Sequence, residues 1–160
     1  MDTHRNSLQD VFVEDHRKMT MGFYRLRQSL EAGDWPEARR LARDIDRDVG
    51  PHIEFEEALY YPRLKPVIGA ENVARMYGEH QIGLGLIREI EALGPDTPGK
   101  QTCSRLADRC RQMLDHALSC GTLISHLTDL PPEEQADLLD RLEEIQGRRA
   151  RWTELADRQE

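Results

Sequence analysis

The sequence has no long hydrophobic run, few aromatic residues and little lysine. No stretch approaches the roughly 20 apolar residues of a membrane-spanning helix, and the N-terminal segment MDTHRNSLQDVF has no apolar signal core. We therefore expect a cytoplasmic protein without membrane contact. Aromatic residues are 6% of the chain and strand-like runs are absent, which favours helices. Arginine far outnumbers lysine, which hints at a GC-rich bacterial source.

Several functional classes are disfavoured by what is missing. The formal net charge of -8, with no basic face along the chain, makes nucleic acid an unfavourable partner. The sequence shows no nucleophile–base triad, no phosphate-binding glycine loop and no nucleotide fold. A length of 160 residues suits one domain, predicted over residues 1–160.

The three cysteines, Cys103, Cys110 and Cys120, all fall in one expected helix. With a rise of about 1.5 Å per residue, neighbouring cysteines in this set are at least about 10 Å apart, too far for a disulfide. They are interpreted as free thiols, consistent with a reducing compartment.

Apolar periodicity predicts five helical segments and an all-α fold. Four have the length and apolar stripe of an up-down-up-down four-helix bundle, over about residues 7–128. The fifth is an additional C-terminal helix over about 131–158. The five segments begin near Ser7, Trp35, Ala70, Cys103 and Pro131.

Glycines and prolines predict where these segments stop or bend. A kink or short break is expected at Gly50-Pro51, and Pro62 and Pro66 are expected to end the second segment. Residues 94–99, GPDTPG, predict a loop, and the fourth segment is expected to continue to Leu127. The glycines at 83 and 85 would be explained by close helix packing, and the charged end from residue 147 is expected to project or fray.

Histidines occupy the inward faces of the four bundle segments. These are His16, His52, His80 and His116, and Glu56 lies one helical turn after His52. One such histidine alone is more often structural, but four with a glutamate indicate a shared site. A buried carboxylate needs a cation, and metal ions bind neutral imidazole and ionised carboxylate together. Imidazole and carboxylate suit iron, manganese or zinc, and a bridging glutamate favours two metal ions. His4 and His126 are interpreted as terminal and surface residues.

The segment HIEFEEALYYP, from His52 to Pro62, resembles the HxxxEE…P signature of the hemerythrin-like HHE cation-binding domains. The resemblance covers about Leu8 to Ile145. Further matches are Asp15-His16 on the first helix, Glu79-His80 on the third, Leu114-Asp115-His116 on the fourth and the closing segment from Pro131.

Members of this family usually hold two irons bridged by carboxylates, with open positions for oxygen, nitric oxide or peroxide. The resemblance therefore implies an iron centre, di-iron in the first place, with mono-iron, manganese or zinc as alternatives. It nominates as metal ligands His16, His52, Glu56, His80 and His116, with Glu56 as the bridge.

The sequence also departs from the family pattern. Cys120 stands where a second HxxxE motif would end in glutamate, and Gly121 and Leu84 stand where oxygen carriers have an aspartate and a histidine. A plain oxygen carrier is therefore not expected. Cys120 is either a ligand itself or a small core residue. A further alternative is a degenerate site that holds one metal or none. Other side chains that could complete the site are Glu57, Glu79, Tyr60 and Tyr77.

Three functions remain open from the sequence. The first is a metal-dependent binder or sensor of oxygen, nitric oxide or redox state. The second is a weak di-iron enzyme that reduces peroxide or nitric oxide or serves iron repair. The third is a helical interaction module with a degenerate metal site, whose protein partner the sequence does not identify.

Overall fold

A computed structural model of the chain describes residues 6–158, with side chains described as far as Leu155. His4 lies outside the described residues. Every element within this range is helical, which confirms the all-α prediction. The elements are α1 (Leu8–Glu31), α2 (Trp35–Phe55), a π-helical turn (Glu56–Tyr60), α3 (Tyr61–Ile68), α4 (Ala70–Leu93), α5 (Lys100–Gly121), α6 (Ser125–Thr128), α7 (Pro132–Arg148) and α8 (Trp152–Arg158).

The four long helices pack around a shared core. Helix α1 contacts α2 and α5, and α4 contacts the same two helices. The up-down-up-down arrangement stays a prediction. Among the described residues no helix combines the length and apolar character needed to cross a bilayer.

The core consists of two clusters of buried side chains. The first cluster is built from α1, α2, α4, α5 and the start of α8, and includes Met19, Phe23, Ile45, Ile87, Leu106 and Trp152. The second cluster lies around α3 and α7, and includes Phe12, Phe55, Tyr61, Leu64, Leu138 and Leu142. Along each long helix the inward histidine falls between residues of the two clusters, so the candidate site lies at their boundary.

The helix ends follow ordinary capping chemistry. Ser7 and Asp10 form a capping box at the start of α1, and Gly33 follows its end with a φ of 72°. The Asp34 side chain accepts a hydrogen bond from the Glu37 N–H at the start of α2. The loop predicted at residues 94–99 is confirmed, because α4 ends at Leu93 and α5 begins at Lys100.

Of the kink or short break predicted at Gly50-Pro51, the break is wrong, because α2 continues through Pro51 to Phe55, and the kink stays a prediction. Gly50 serves a close contact instead. A Cβ atom on residue 50 would lie 2.1 Å from the Ala150 carbonyl oxygen. Only glycine leaves room for this backbone approach.

The predicted stop at Pro62 and Pro66 is also wrong. The helix resumes after the π-helical turn and runs to Ile68, with Pro62 in the first turn of α3, where a missing N–H costs little. The true stop is Gly69, whose φ of 92° favours glycine. By contrast, the fourth segment ends earlier than predicted, at Gly121, and Leu127 is buried from the separate short helix α6.

The charged C-terminal end does not project over the part that the structure describes. Trp152 is 2% exposed and belongs to the first cluster, and the Thr153 N–H donates to Asp46 at 2.9 Å. A Cβ on Gly83 would lie 2.5 Å from the Trp152 ring, so close packing explains this glycine. The same explanation fails for Gly85, whose Cβ would meet nothing closer than 3.9 Å.

Candidate metal centre

Helices α2, α4 and α5 and the π-helical turn contribute buried polar side chains to one place between the two core clusters. His52, Glu56, His80, His116 and Cys120 are each at most 2% exposed. The remaining predicted histidine, His16, is half-buried, and its ring lies 5.7 Å from that of His52. The structure thus brings together every residue of the predicted ligand set.

Glu56 is the centre of this group. Its Oε1 atom lies 3.3 Å from His52 Nε2 and 3.4 Å from His80 Nε2. Its Oε2 atom accepts a short hydrogen bond from the Cys120 thiol. Ligand atoms of Glu56, His116 and Cys120 all lie within 4.8 Å of one another, close enough to hold one metal ion together.

Two further carboxylates orient the histidine rings from behind. The Nδ1 atom of His80 lies 2.9 Å from Glu57 Oε2, and that of His116 lies 2.6 Å from Glu79 Oε2. An Nδ1–H that donates to a carboxylate fixes the orientation of the ring and leaves the Nε2 atom facing inward. Glu57 and Glu79, predicted as additional ligand candidates, therefore lie on the outer side of the two imidazoles.

Tyr61 is the site residue that sequence reasoning missed. Its hydroxyl lies 2.9 Å from His80 Nε2, 3.5 Å from His116 Nε2 and 3.8 Å from Cys120 Sγ. The π-helical turn causes this placement, because the Tyr61 N–H bonds to the Glu56 carbonyl five residues earlier. In an α-helix Tyr60, four residues after Glu56, would follow on the same face. The adjacent tyrosines offered a signal, but nothing in the periodicity marks the extra residue.

The two tyrosines named from the sequence have different surroundings. Tyr60 is buried in the second cluster, and its hydroxyl has no hydrogen-bond partner. The Tyr77 hydroxyl donates to the Glu57 carbonyl oxygen at 2.6 Å. Tyr77 thus secures the π-helical turn that carries Glu57.

Three buried ligand-type atoms of the centre lack any hydrogen-bond partner, and this tests whether the residues fit a metal. They are His16 Nε2, His52 Nε2 and Glu56 Oε1. An unpaired buried polar atom costs about 1–3 kcal/mol, and more when it is charged. A metal ion among them would supply the missing partner for imidazole nitrogen and carboxylate oxygen alike. The donor set therefore fits a cation.

Burial and charge compete over the protonation of the centre. Burial lowers the pKa of His52 to about 4, against the opposing charge of Glu56. Burial also acts to lower the pKa of His80, but Glu56 and Glu57 outweigh it and raise the pKa to about 9. The pKa of Glu56 lies well below its usual range, because His52 and His80 outweigh burial. In the metal-free chain a protonated His80 thus accompanies an ionised Glu56.

The neighbours of Glu56 on α3 and α5 favour their uncharged forms. Burial lowers the pKa of His116 and raises that of the Tyr61 hydroxyl. Burial, with the Glu56 carboxylate, raises the pKa of the Cys120 thiol well above its usual range. A bound cation reverses this effect on a thiol, because it stabilises the thiolate.

Gly121 explains one departure from the family pattern. A Cβ atom on this residue would lie 3.1 Å from His16 Cε1, tighter than ordinary packing. A side chain here would therefore press on the His16 ring. The histidine His126, interpreted as a surface residue, lies on α6 and is half-buried.

Fold and site define an all-helical protein with a buried histidine–carboxylate cluster suited to a cation. The chain belongs to the hemerythrin HHE cation-binding domain family, whose model matches residues 7–120. A protein named DNA nickase, from Nostoc sp. (strain PCC 7120 / SAG 25.82 / UTEX 2576), is 30% identical over 109 residues. This match covers 68% of the chain and 28% of the relative, so the chain spans less than a third of that protein. No solved structure matches the chain.

Proposed function

We propose that this chain binds iron, as two ions in the first place, and binds or senses a small inorganic ligand such as oxygen, nitric oxide or peroxide, or redox state. The observation that carries the proposal is the set of buried, unpartnered atoms on His16, His52 and Glu56. They belong to one cluster in a family named for cation binding. Cation binding is the function that such atoms serve best.

The proposed ligands form two histidine pairs with Glu56 between them. The rings of His16 and His52 are 5.7 Å apart, and those of His80 and His116 are 4.8 Å apart. Glu56 Oε1 is near one histidine of each pair, which supports a bridging role. A bound iron pair would supply a redox-active centre to which small ligands can bind.

Burial favours binding or sensing over chemistry on a large substrate. The side chains around Glu56 are covered by four helices, and His80 and Cys120 are 0% exposed. Four surface cavities of about 310–510 Å³ are lined by other residues. A ligand of a few atoms fits this setting better than an organic substrate, which needs a concave pocket.

The name of the Nostoc relative does not transfer readily. The chain matches 28% of that protein, so the rest of it has no counterpart here. A net charge of -8 opposes binding to a phosphate backbone, and Glu56 is 0% exposed. We propose that the shared property is metal binding. Metal-dependent nicking of a supercoiled plasmid, lost in a Glu56→Ala variant, would contradict this.

The first experiment measures iron, manganese and zinc per chain in protein purified without a histidine tag. About two irons per chain are expected, and the double variant His52→Ala/Glu56→Ala should lose them. His126→Ala is the matched control, because it removes a half-buried histidine outside the cluster and should keep the metal. Unchanged metal content in the double variant would refute the ligand assignment.

The second experiment separates the three candidate functions. Iron-loaded protein is titrated with nitric oxide or peroxide while its absorption spectrum is recorded. A saturable, reversible change supports binding or sensing, and continuous consumption of the added ligand supports the enzyme. If the wild-type chain takes up no metal, the interaction module with a degenerate site is the only one of the three functions that remains.

A further inference from the structure

We infer that Cys120 is a metal ligand, so that the centre holds its cation through nitrogen, oxygen and sulfur atoms. This inference rests on the proposed function and deepens it. It assigns a role to the residue that stands where the family motif has glutamate.

The position of Cys120 on α5 is that of a ligand. It follows His116 by one helical turn, and both side chains are buried, with exposures of 0% and 1%. The Cys120 Sγ atom belongs to the group of three ligand atoms that lie within 4.8 Å of one another. The other two members, from Glu56 and His116, come from the proposed ligand set.

Cys120 packs in the second core cluster but also makes polar contacts, which a cysteine that only fills the core does not need. Its thiol donates a short hydrogen bond to Glu56 Oε2, and its sulfur lies 3.8 Å from the Tyr61 hydroxyl. The free cysteine Cys110, also 0% exposed, packs in the first cluster as Cys120 does in the second, so burial alone does not distinguish the two. A small residue chosen only for packing would not need to face the one fully buried carboxylate among the described residues.

A second observation points to a cation at this place. Besides the oxygen that accepts from Cys120, Glu56 has a second oxygen, Oε1, that is buried without a hydrogen-bond partner. The Nε2 atom of His52, 3.3 Å away, is also unpartnered. The carboxylate thus faces a thiol on one side and the imidazole nitrogens of His52 and His80, at 3.3 and 3.4 Å, on the other.

Binding requires only proton release. When Cys120 binds a divalent cation, its S–H bond breaks, the sulfur keeps the electron pair and the proton passes to solvent. No oxidant or reductant takes part. The thiolate and Glu56 then carry two negative charges, which offset half the charge of two divalent ions, while the imidazoles bind as neutral ligands.

A sulfur ligand limits the metal ions that the centre is expected to bind. Thiolate with imidazole suits iron, cobalt and zinc, whereas magnesium, calcium and manganese prefer oxygen ligands. The centre should therefore take up cobalt(II) and zinc and select against magnesium.

Cobalt(II) is the probe, because a thiolate bound to it gives an intense near-ultraviolet charge-transfer band. Tag-free wild-type protein and the variants Cys120→Ala, Cys103→Ala and Cys110→Ala are titrated with cobalt(II) alone. The band should appear in the wild type and in the two controls and be absent from Cys120→Ala. The affinity of Cys120→Ala should also fall by at least about tenfold, the loss seen when supporting groups of metal sites are removed.

The outcomes separate the two proposals. Cobalt uptake without the band, or a band that persists in Cys120→Ala, overturns the role of Cys120 and leaves metal binding intact. No uptake by the wild type overturns both. If Cys120→Ala fails to fold, X-ray absorption of the zinc-loaded wild type decides. A sulfur shell at about 2.3 Å supports the inference, and a shell of only nitrogen and oxygen at about 2.0–2.2 Å overturns it.

Discussion

The first core cluster and the candidate metal centre are both buried, yet they are built in opposite ways. In the first cluster, side chains such as Leu106 and Ile87 are 0% exposed and have no polar atom to satisfy. In the metal centre, Glu56 and His80 are equally buried, but ligand atoms around them remain without partners. The first cluster needs no further partner, whereas under the proposed function a cation supplies the partners that the atoms of the metal centre lack.

This difference means that the first cluster serves the stability of the bundle, whereas the metal centre serves its proposed function. Apolar burial stabilises the first cluster by about 25 cal/mol per Å², whether or not a metal is bound. The metal centre instead carries a desolvation cost that ligand binding would remove, and binding at a hundred times Kd would add about 2.7 kcal/mol. We therefore expect substitutions in the first cluster to act alike with and without metal, and substitutions at the centre to act through metal affinity.

The largest effect is expected for Leu106→Ala in the first cluster. Loss of a fully buried leucine leaves a cavity and should lower the free energy of unfolding by about 2–5 kcal/mol. The same loss should be measured by urea unfolding with and without zinc. The control Leu118→Ala lies on the same helix at 73% exposure and should change little. A loss confined to the metal-free protein would contradict the separation of the two regions.

Gly50→Ala tests how the C-terminal segment closes the first cluster. The new Cβ would meet the Ala150 carbonyl oxygen, so the segment with Trp152 must shift, at a cost of about 1–3 kcal/mol. Gly78→Ala is the control, because nothing lies within 4 Å of its Cβ and alanine favours the helix. Thermal unfolding should show a lower Tm for the first variant only. Equal Tm values would mean that the segment yields without cost.

Glu79→Gln should weaken the centre while leaving the first cluster unchanged. The carboxylate orients His116 from 2.6 Å, and removing its charge should reduce metal affinity by about 10–100-fold. Glu89→Gln, on the same helix but paired with Arg105, is the control. Isothermal titration with zinc measures both. If the two variants bind alike, Glu79 does not position the histidine.

The sequence predicted most helices because their signals are local. Ser7, Gly33 and the loop at 94–99 are capping and turn residues whose chemistry is readable from neighbours in the chain. The errors at Gly50 and Pro62 have a different origin. Gly50 is explained by a contact with residue 150, which no local pattern reveals, and Pro62 is tolerated because a new helical turn begins there.

The site shows the same division. The helical period of four residues predicted that His52 and Glu56 share a face, and the structure brings them within 3.3 Å. The same four-residue spacing could not predict that Tyr61 lies in the site, because one inserted residue in the π-helical turn rotates the following helix. Nor could it predict that Glu57 and Glu79 lie behind the imidazoles, because this depends on how α4 packs against α2 and α5.

The smallest effect concerns the pH dependence of the metal-free chain. The pKa of His80 is raised from 6.5 to about 9, so its stabilising contribution is complete below pH 6.5 and lost as the pH rises to about 9. The pKa of His52 is lowered from 6.5 to about 4. As the pH falls from 6.5 to about 4, His52 is therefore protonated in the unfolded chain but not in the folded one, and the free energy of unfolding falls. Stability after chelation should therefore peak near pH 6.5, with slopes of at most about 1.4 kcal/mol per pH unit from each histidine.

Two variants test which histidine causes the decrease in stability on each side of the pH maximum, here called the acidic and the alkaline arm. His80→Gln should flatten the alkaline arm and His52→Gln the acidic arm, whereas His126→Gln should change neither. Urea unfolding of chelated protein across the pH range measures all three. An alkaline arm that survives His80→Gln would show that the proton between His80, Glu56 and Glu57 does not stabilise the empty centre. Added zinc should remove the alkaline dependence in the wild type, because a metal ligand must be a neutral imidazole and the cation then takes the place of that proton.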